Sequence, residues 1–269
     1  MTSATTHAID LPGGRLAVII DGAAGGVPVV VLHGNSLSCS RHGGWWQPLR
    51  APGRRVIAVD LPGHGASPWH GGWDDDLIPG YARTVAGLCA ALALDRPVLI
   101  GHSLGGNIAS ECAAQGLALR GLALYGTPPI PRIPITVPPV LAPFFTASAD
   151  RDALTALGTL LFAAPPPEWW YAEYHATDPR ARIALGAALA APTWHDQPAF
   201  LAKSPCPLLW IAGGRDPFMD ARALAPIAGG FWGGGAQVVA EATHMDLGHA
   251  GVMELLNRFL AATIDHTSA

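Results

Sequence analysis

The sequence has little charge and almost no lysine, and this shortage excludes one class of function. Lys203 is the only lysine among 269 residues, and charged residues make up 13% of the chain. The formal net charge is -4 and no cluster of basic residues occurs, so the chain offers no basic surface for a polyanion. We therefore expect no nucleic-acid partner.

Cysteines are few and widely spaced. The four are Cys39, Cys89, Cys112 and Cys206. They form neither a disulfide framework nor a C-x-x-C motif, so we expect free thiols in a reducing compartment. Two stretches rich in histidine, tryptophan and aspartate, RHGGWW and WHGGWDDD, do not match the ligand spacing of a zinc site. We expect no metal and no cofactor.

Long apolar runs and targeting signals are also missing. No stretch reaches the roughly 20 consecutive apolar residues that cross a bilayer as a helix. The first residues, MTSATTHAIDLPGG, lack the basic region and apolar core of a secretory signal. We therefore expect a soluble cytoplasmic protein, a monomer or a homodimer, with no stable membrane insertion.

Short apolar runs dominate what is present, since apolar residues make up 50% of the chain. Runs without alternation are typical of strands covered on both faces, as in parallel sheets. Segments of helical pattern separate them, so the sequence predicts an α/β fold with a doubly wound, mostly parallel sheet. HAIDL and RLAVIID, joined by PGG, predict a β-hairpin. The predicted buried strands are GVPVVVLHG, RRVIAVDLPG, RPVLIGHS, LRGLALYGT, CPLLWIAGG and AQVVAEATH.

Segments of helical pattern alternate with these strands, except in one proline-rich region. YARTVAGLCAALAL, LGGNIASECAAQG and VMELLNRFLAATI predict helices of the core. TPPIPRIPITVPPVLAPFF holds too many prolines for a strand or helix interior, and three more helical patterns follow it. We therefore predict a helical lid inserted at residues 128–203. The core is then residues 1–127 and 204–269.

Ligands bind at the carboxyl ends of the strands in such sheets, and a serine lies at one of these ends. Ser103 is the centre of Gly101-His102-Ser103-Leu104-Gly105, which fits the G-x-S-x-G pattern between a strand and a helix. Side chains at the two glycines would collide with the neighbouring strand or helix. The context favours a catalytic nucleophile over a structural glycine turn, provided that a base activates the serine.

A histidine later in the chain is placed to act as that base. His244 follows the last predicted strand, where a loop can aim it over the sheet, and it is the predicted general base. His249 is the alternative, although we expect it to begin the last helix and to face away. His102 adjoins Ser103 and is expected to point elsewhere.

An acid and two amide donors complete the predicted machinery. Asp216 follows a strand and two glycines, and is the predicted carboxylate that orients the base, with Asp220 as the alternative. An N-cap role for Asp216 is compatible with this one. The backbone N–H of Leu104 and that of Asn35 are the predicted oxyanion donors, and the Asn35 side chain could add a donor or position its loop. Gly34 lets that loop approach closely.

These motifs, in this order, resemble those of the α/β-hydrolase superfamily over nearly the whole chain. The supporting stretches are HGNS, DLPGHGAS, GHSLGG, GGRDPF and THMDLGH. The resemblance implies a catalytic triad of Ser103, His244 and Asp216, with an oxyanion hole at the Asn35 and Leu104 amides. It also implies a lid inserted after the sixth strand.

A narrower resemblance is to the metal-independent N-acyl homoserine lactone lactonases. It rests on VVVLHGNS, RVIAVDLPGHGAS, SLGGNIAS, GTPP, ATDPRARIAL and GRDPF. It implies opening of a lactone ring through an acyl-enzyme intermediate. The chain departs from those lactonases in the lid stretch APPPEWWYAEY and at Leu104, where they carry a tryptophan.

The predicted substrate is a small ester or lactone with an apolar acyl part. Gly34 and the aromatic residues Trp170, Tyr171 and Tyr174 are candidate pocket residues, together with Phe144, Phe145 and Phe162 nearby in the sequence. The alternative, which we favour for most of these aromatics, is that they pack the lid onto the core. The functional alternatives are a general carboxylesterase, C–C cleavage, perhydrolase or lyase chemistry, and a receptor, because the same fold supports all of them.

Overall fold

An eight-stranded sheet forms the centre of the computed structural model, which describes residues 5–41, 44–70, 76–219, 227 and 231–265. The strands are β1 (Thr5–Leu11), β2 (Gly14–Asp21), β3 (Val27–Leu32), β4 (Arg54–Val59), β5 (Val98–His102), β6 (Gly121–Tyr125), β7 (Leu208–Gly213) and β8 (Gln237–Val239). Their spatial order is β1-β2-β4-β3-β5-β6-β7-β8. The predicted hairpin is β1 and β2, and β2 pairs antiparallel with β4. All later pairs are parallel, which confirms the predicted α/β fold.

Helices connect the strands near the positions that the sequence predicted. They are α1 (Leu77–Ala91), α2 (Leu104–Ala114), α3 (Arg151–Phe162), α4 (Glu168–Ala176), α5 (Pro179–Ala190), α6 (Gln197–Leu201) and α7 (Ala250–Asp265). The first begins four residues before the predicted Tyr81, because Pro79 falls in its first turn, where proline is tolerated. Within the described residues, none of the helices has both the length and the apolar composition to span a bilayer.

Both faces of the central strands are buried, which explains their unbroken apolar runs. Val30 of β3 packs in a cluster with residues of α1 and α2, whereas its neighbour Val31 packs in a second cluster with residues of α7. Successive side chains of a strand point to opposite faces, so a strand between two helical layers must be apolar at every position.

The segment between β6 and β7 holds α3 to α6 and shares its core with the sheet. Leu185 and Leu189 of α5 belong to the cluster of α1 and α2. Trp170 and Tyr174 of α4 belong to the cluster of α7. Helices from this segment therefore pack against both apolar layers of the protein.

A buried arginine links several turns of this segment. Arg182 is only 3% exposed, and its guanidinium lies 4.1 Å from the ring centroid of Tyr174. It donates to the carbonyl oxygens of Thr146 (3.0 Å), Ala147 (2.8 Å), Tyr174 (3.0 Å) and Thr177 (3.3 Å). Burial lowers the pKa of Arg182, and these carbonyl groups replace the water that the charge has lost.

Removing this guanidinium should destabilise the fold. We expect Arg182→Met to lower the free energy of unfolding by about 3 kcal/mol, because the buried carbonyls lose a charged donor. Urea denaturation followed by circular dichroism measures the change. Arg180→Met is the matched control, since Arg180 is exposed and its guanidinium pairs with Asp178 at the start of its own helix. Equal stability of the two variants would contradict the role of Arg182.

Candidate active site

Ser103 lies on a strained turn between β5 and α2. Its φ and ψ angles are 51° and -120°, in a region that non-glycine residues rarely occupy. The turn is held by a bond from the Ser103 N–H to Tyr125 O (3.0 Å) and by one from the Gly106 N–H to Ser103 O (2.9 Å). A strained serine between a strand and a helix is the local geometry of a nucleophile elbow.

Glycines make this turn sterically possible. A Cβ atom on Gly101 would lie 2.4 Å from the Gly106 Cα, and one on Gly105 would lie 2.4 Å from Leu32 O. This confirms the predicted collisions at both positions. Gly106 is a third requirement that the pattern did not reveal, because its Cβ would lie 2.0 Å from Thr127 Oγ1.

A histidine and a carboxylate meet at the ends of the next strands. His244 Nδ1 lies 2.9 Å from Asp216 Oδ2, and both residues are buried. The other carboxylate oxygen accepts the Phe218 N–H at 2.9 Å, and the Phe218 ring packs edge-on against His244 at 5.0 Å. A carboxylate can only accept, so Nδ1 carries the proton and the neutral imidazole has its lone pair on Nε2.

The three groups converge at one edge of the sheet. Ser103 follows β5, Asp216 follows β7 and His244 follows β8. Gly126, at the end of the intervening β6, lies against the pair: its Cβ would be 3.1 Å from Asp216 Oδ2 and 3.2 Å from His244 Nδ1. The preceding residue, Tyr125, provides the carbonyl that holds the Ser103 amide.

His102 lies next to His244, the predicted base. Its Nε2–H donates to His244 O at 2.9 Å, and the two ring centroids are 5.0 Å apart. Burial lowers the pKa of His102 well below its usual range, so the ring is neutral. Gly34 is required beside it, because a Cβ there would lie 2.7 Å from His102 Nδ1. The sequence gives no sign of this contact, because the two histidines are 142 positions apart.

The alternative base and acid are placed differently. His249 Nδ1 accepts the Gly251 N–H at 3.1 Å, so this histidine caps the start of α7. Asp220 lies outside the described residues, as do residues 42, 43 and 71–75 of the two histidine-rich stretches. Among the residues that are described, no group of three or more histidine, cysteine or acidic side chains could hold a metal ion.

Two further histidines support the loops beneath the site. His33 Nε2 accepts the Leu61 N–H at 3.0 Å, so Nδ1 carries the proton and donates to Gly34 O at 2.8 Å. His64 Nδ1 donates to Pro62 O at 3.1 Å, and the two rings are 5.0 Å apart. Burial lowers the pKa of both histidines, in the case of His64 to about 3. Both therefore act as neutral structural groups.

The neutrality of His64 makes stability depend on pH. Between about 6.5, the pKa of an unfolded histidine, and about 3, the unfolded chain binds a proton that the folded chain does not. Stability from this residue is therefore complete above that window and falls as the pH drops through it, by about 1.4 kcal/mol per pH unit. His64→Asn can keep a donor to Pro62 O but cannot titrate. We expect its unfolding free energy, measured in urea at several pH values, to decline less steeply than that of the wild type; parallel declines would contradict the assignment.

The predicted oxyanion donors flank Ser103. Leu104 is the first residue of α2, so its N–H is one of the first-turn amides without an intrahelical partner. Asn35 lies in the loop after β3, beside the same cavity as Ser103. Its side-chain Nδ2 donates to Phe144 O at 2.9 Å. The Asn35 side chain therefore positions its loop against the segment between β6 and β7, the second of the two roles that the sequence left open.

A cavity of about 170 Å³ lies beside Ser103. Asn35, Ser103 and Asn107 are the polar residues of its wall, and the rest of the wall is apolar. The apolar wall includes Ile78, Leu104, Ile135, Phe145, Leu185 and Leu189. An apolar pocket with a few polar groups is the usual form of a small-molecule site.

The candidate aromatic residues divide between the cavity and the core. Phe144 and Phe145 line the cavity beside Ser103. Trp170, Tyr171 and Tyr174 are buried in the cluster of α7, which is the packing role expected for most of them. The Tyr174 hydroxyl donates to Pro143 O at 2.9 Å. Gly34 borders His102 and Ser103 and is not in the wall.

A strained serine at a strand–helix turn, beside a buried histidine–carboxylate pair, defines a class of α/β proteins with a nucleophile elbow. The chain belongs to the alpha/beta hydrolase family, whose model matches residues 29–255. This agrees with the resemblance found in the sequence.

The proteins to which this chain is similar have different activities. The chain is 30% identical over 223 residues to the dihydrolipoyllysine-residue acetyltransferase component of the acetoin cleaving system of Pseudomonas putida; the match covers 78% of this chain and 57% of that protein. The chain thus spans little more than half the length of that relative. Among solved structures it is similar to a variant of N-acyl homoserine lactonase AidH complexed with N-hexanoyl homoserine lactone, with a TM-score of 0.83, 26% identity and coverage of 97% and 99%. It is also similar to the esterase RhEst1 from Rhodococcus sp. ECU1013, with a TM-score of 0.71, 26% identity and coverage of 97% and 100%.

Proposed function

We propose that this protein is a serine hydrolase that cleaves a carboxylic ester or a lactone through an acyl-enzyme intermediate. Ser103 is the nucleophile, His244 the general base and Asp216 the carboxylate that orients it. The observation that carries the proposal is the 2.9 Å bond between His244 Nδ1 and Asp216 Oδ2 at the sheet edge where Ser103 lies on its strained turn.

The reaction follows from these positions. His244 Nε2 accepts the proton of Ser103 as the hydroxyl oxygen attacks the substrate carbonyl carbon. The resulting oxyanion accepts hydrogen bonds from the N–H groups of Leu104 and Asn35. Asp216 holds the imidazole tautomer and stabilises the imidazolium. The alcohol then leaves with a proton from His244, and a water molecule deprotonated by His244 releases the acid.

We also propose that residues 128–203 form a lid over the acyl-binding cavity. Much of the apolar wall beside Ser103 comes from this segment, including Ile135, Phe145 and Leu185. The segment is tied to the loop after β3 by the bond between Asn35 Nδ2 and Phe144 O. An apolar wall of this kind fits an apolar acyl group close to the attacked carbonyl.

Ring opening of an N-acyl homoserine lactone is the specific form of this reaction that we favour. The support is the similarity to AidH, which extends over 97% of this chain. In a lactone the leaving alcohol stays attached to the acyl group, so the chemistry at Ser103 is the same as for an ester. A general carboxylesterase is the second candidate, supported by the similarity to RhEst1.

Covalent labelling of Ser103 and hydrolysis of ester and lactone substrates are the two tests of the proposal. A fluorophosphonate should attach to Ser103, as mapped by peptide mass spectrometry, and heat-denatured protein is the control. The folded protein should also release acid from p-nitrophenyl esters and from N-hexanoyl homoserine lactone, measured by pH-stat titration. Absence of both labelling and ester turnover would overturn the hydrolase proposal and favour a non-hydrolytic use of the fold. Ester turnover without lactone opening would leave the carboxylesterase.

A further inference from the structure

Asn107 is a polar residue in the otherwise apolar wall of the cavity. It lies in α2, where its N–H donates to Ser103 O at 3.2 Å, and both residues line the cavity. The residue is only 6% exposed. A buried amide in the same cavity wall as the nucleophile is placed to contact the part of a substrate next to its reacting carbonyl.

The orientation of the Asn107 amide is determined by backbone groups. Its Nδ2 lies 2.9 Å from Pro128 O, which can only accept a hydrogen bond. The same Nδ2 donates at 2.8 Å to Gln197 Oε1. Gln197 Oε1 is in turn fixed as an acceptor by the Ile130 N–H at 3.3 Å. Both amide hydrogens of Asn107 are therefore in use, and its oxygen cannot exchange places with its nitrogen.

The amide oxygen of Asn107, Oδ1, takes part in neither of these hydrogen bonds. Within the described part of the chain, no group donates to Oδ1, while the bonds of Asn107 to Pro128 and Gln197 use only its nitrogen. Oδ1 is also not among the sealed side-chain atoms that lack a partner, so it keeps accessible surface. Asn107 lines the cavity, so Oδ1 is available to a ligand there. An accessible acceptor in an otherwise apolar wall favours a ligand that brings a donor to it.

We infer that Asn107 Oδ1 accepts a hydrogen bond from an N–H or O–H group in the acyl part of the substrate, close to the reacting carbonyl. The inference rests on the proposed hydrolase function. It narrows the substrate class to esters or lactones whose acyl group carries a donor within a few bonds of the carbonyl, followed by an apolar portion. Asn107 is thus a specificity-determining residue, and its bond to Pro128 O fixes which end of the amide carries the accepting oxygen.

Two matched esters test this assignment. The p-nitrophenyl esters of N-acetylglycine and of 4-oxopentanoic acid differ only by an N–H group in place of a CH₂ group. We expect Asn107→Leu to reduce the ratio of their kcat/KM values by about tenfold, which is the contribution of one hydrogen bond. The loss should fall on the N-acetylglycine ester. Comparison with the wild type cancels the intrinsic reactivity of the two esters.

A second variant separates recognition from support of the lid. Gln197→Met removes one of the two bonds of Asn107 Nδ2, while the bond to Pro128 O still orients the amide, so the ratio should stay within about twofold of the wild type. An unchanged ratio in Asn107→Leu, or an equal shift in Gln197→Met, would overturn the assignment. Asn107→Ala gives the same comparison if the leucine variant does not fold, as judged by circular dichroism. If the wild type cleaves neither ester, the proposed function has failed instead.

The same ratio measured with 3-hydroxybutanoyl and butanoyl p-nitrophenyl esters tells whether O–H donors are accepted as well as N–H donors.

Discussion

Ser103→Ala should lower kcat for ester hydrolysis by about 10⁴-fold or more, because the covalent route depends on one hydroxyl group. Alanine differs from serine only by that oxygen, so it can occupy the same strained turn, which is held by backbone bonds to Tyr125 and Gly106. Stopped-flow and end-point assays with a p-nitrophenyl ester measure the loss. Fluorophosphonate labelling should disappear in the same variant.

The control for this loss is Ser110, a buried serine in the helix that follows Ser103. Ser110 donates from its hydroxyl to Gly106 O at 2.8 Å, two turns from the nucleophile. Ser110→Ala should retain kcat within about threefold, since the bond that it removes lies within the helix. Residual activity above a tenth of the wild type in Ser103→Ala, after purification from any contaminating esterase, would show that this serine is not the nucleophile.

Asp216→Asn should lower kcat by about 10⁴-fold while the fold is retained. The carboxylate now accepts from two donors, the Phe218 N–H and His244 Nδ1–H, each at 2.9 Å. An asparagine has only one oxygen for these two donors. The backbone N–H cannot change, whereas the imidazole can shift its proton, so the amide will turn its NH₂ group toward His244. The proton then moves to Nε2, which can no longer accept the proton of Ser103.

Asp246→Asn is the matched control for this change. Asp246 Oδ2 accepts the Thr243 N–H at 2.9 Å in the loop that carries His244. An asparagine oxygen can accept the same bond, so we expect kcat to stay within about threefold. The rate of fluorophosphonate labelling should fall for Asp216→Asn in parallel with kcat. A loss of less than tenfold would mean that Asp216 does not set the tautomer of His244.

Local patterns in the sequence were enough to predict the strands, most helices and the strand ends that Ser103, Asp216 and His244 follow. Unbroken apolar runs such as VPVVVL must lie between two covering layers, whatever those layers are. The glycines around Ser103 report backbone crowding within a few residues, and the structure confirms it at Gly101 and Gly105. The expectation that Asp216 would be found with His244 needed only the rule that parallel strands end at one edge.

The sequence did not separate the aromatic residues that border the cavity from those that fill the core. Trp170 and Tyr174 of the segment between β6 and β7 pack into the core, whereas Phe144 and Phe145 border the cavity. The side of a helix that faces a cavity depends on how the helix packs against elements distant in sequence. No local pattern in that segment states this arrangement.

The same reason applies to the groups that orient the reactive ones. His102 donates to the carbonyl oxygen of His244, 142 positions further along the chain. Gln197 Oε1 accepts from Asn107 Nδ2, and these two residues are 90 positions apart. The sequence by itself determined which elements form and where chemically competent residues end up along the sheet edge, because these depend on local sterics and periodicity. Only the tertiary structure decided which atoms of those residues are already bonded and which one, Asn107 Oδ1, is left for a ligand, because each such bond joins segments that meet only in the folded chain.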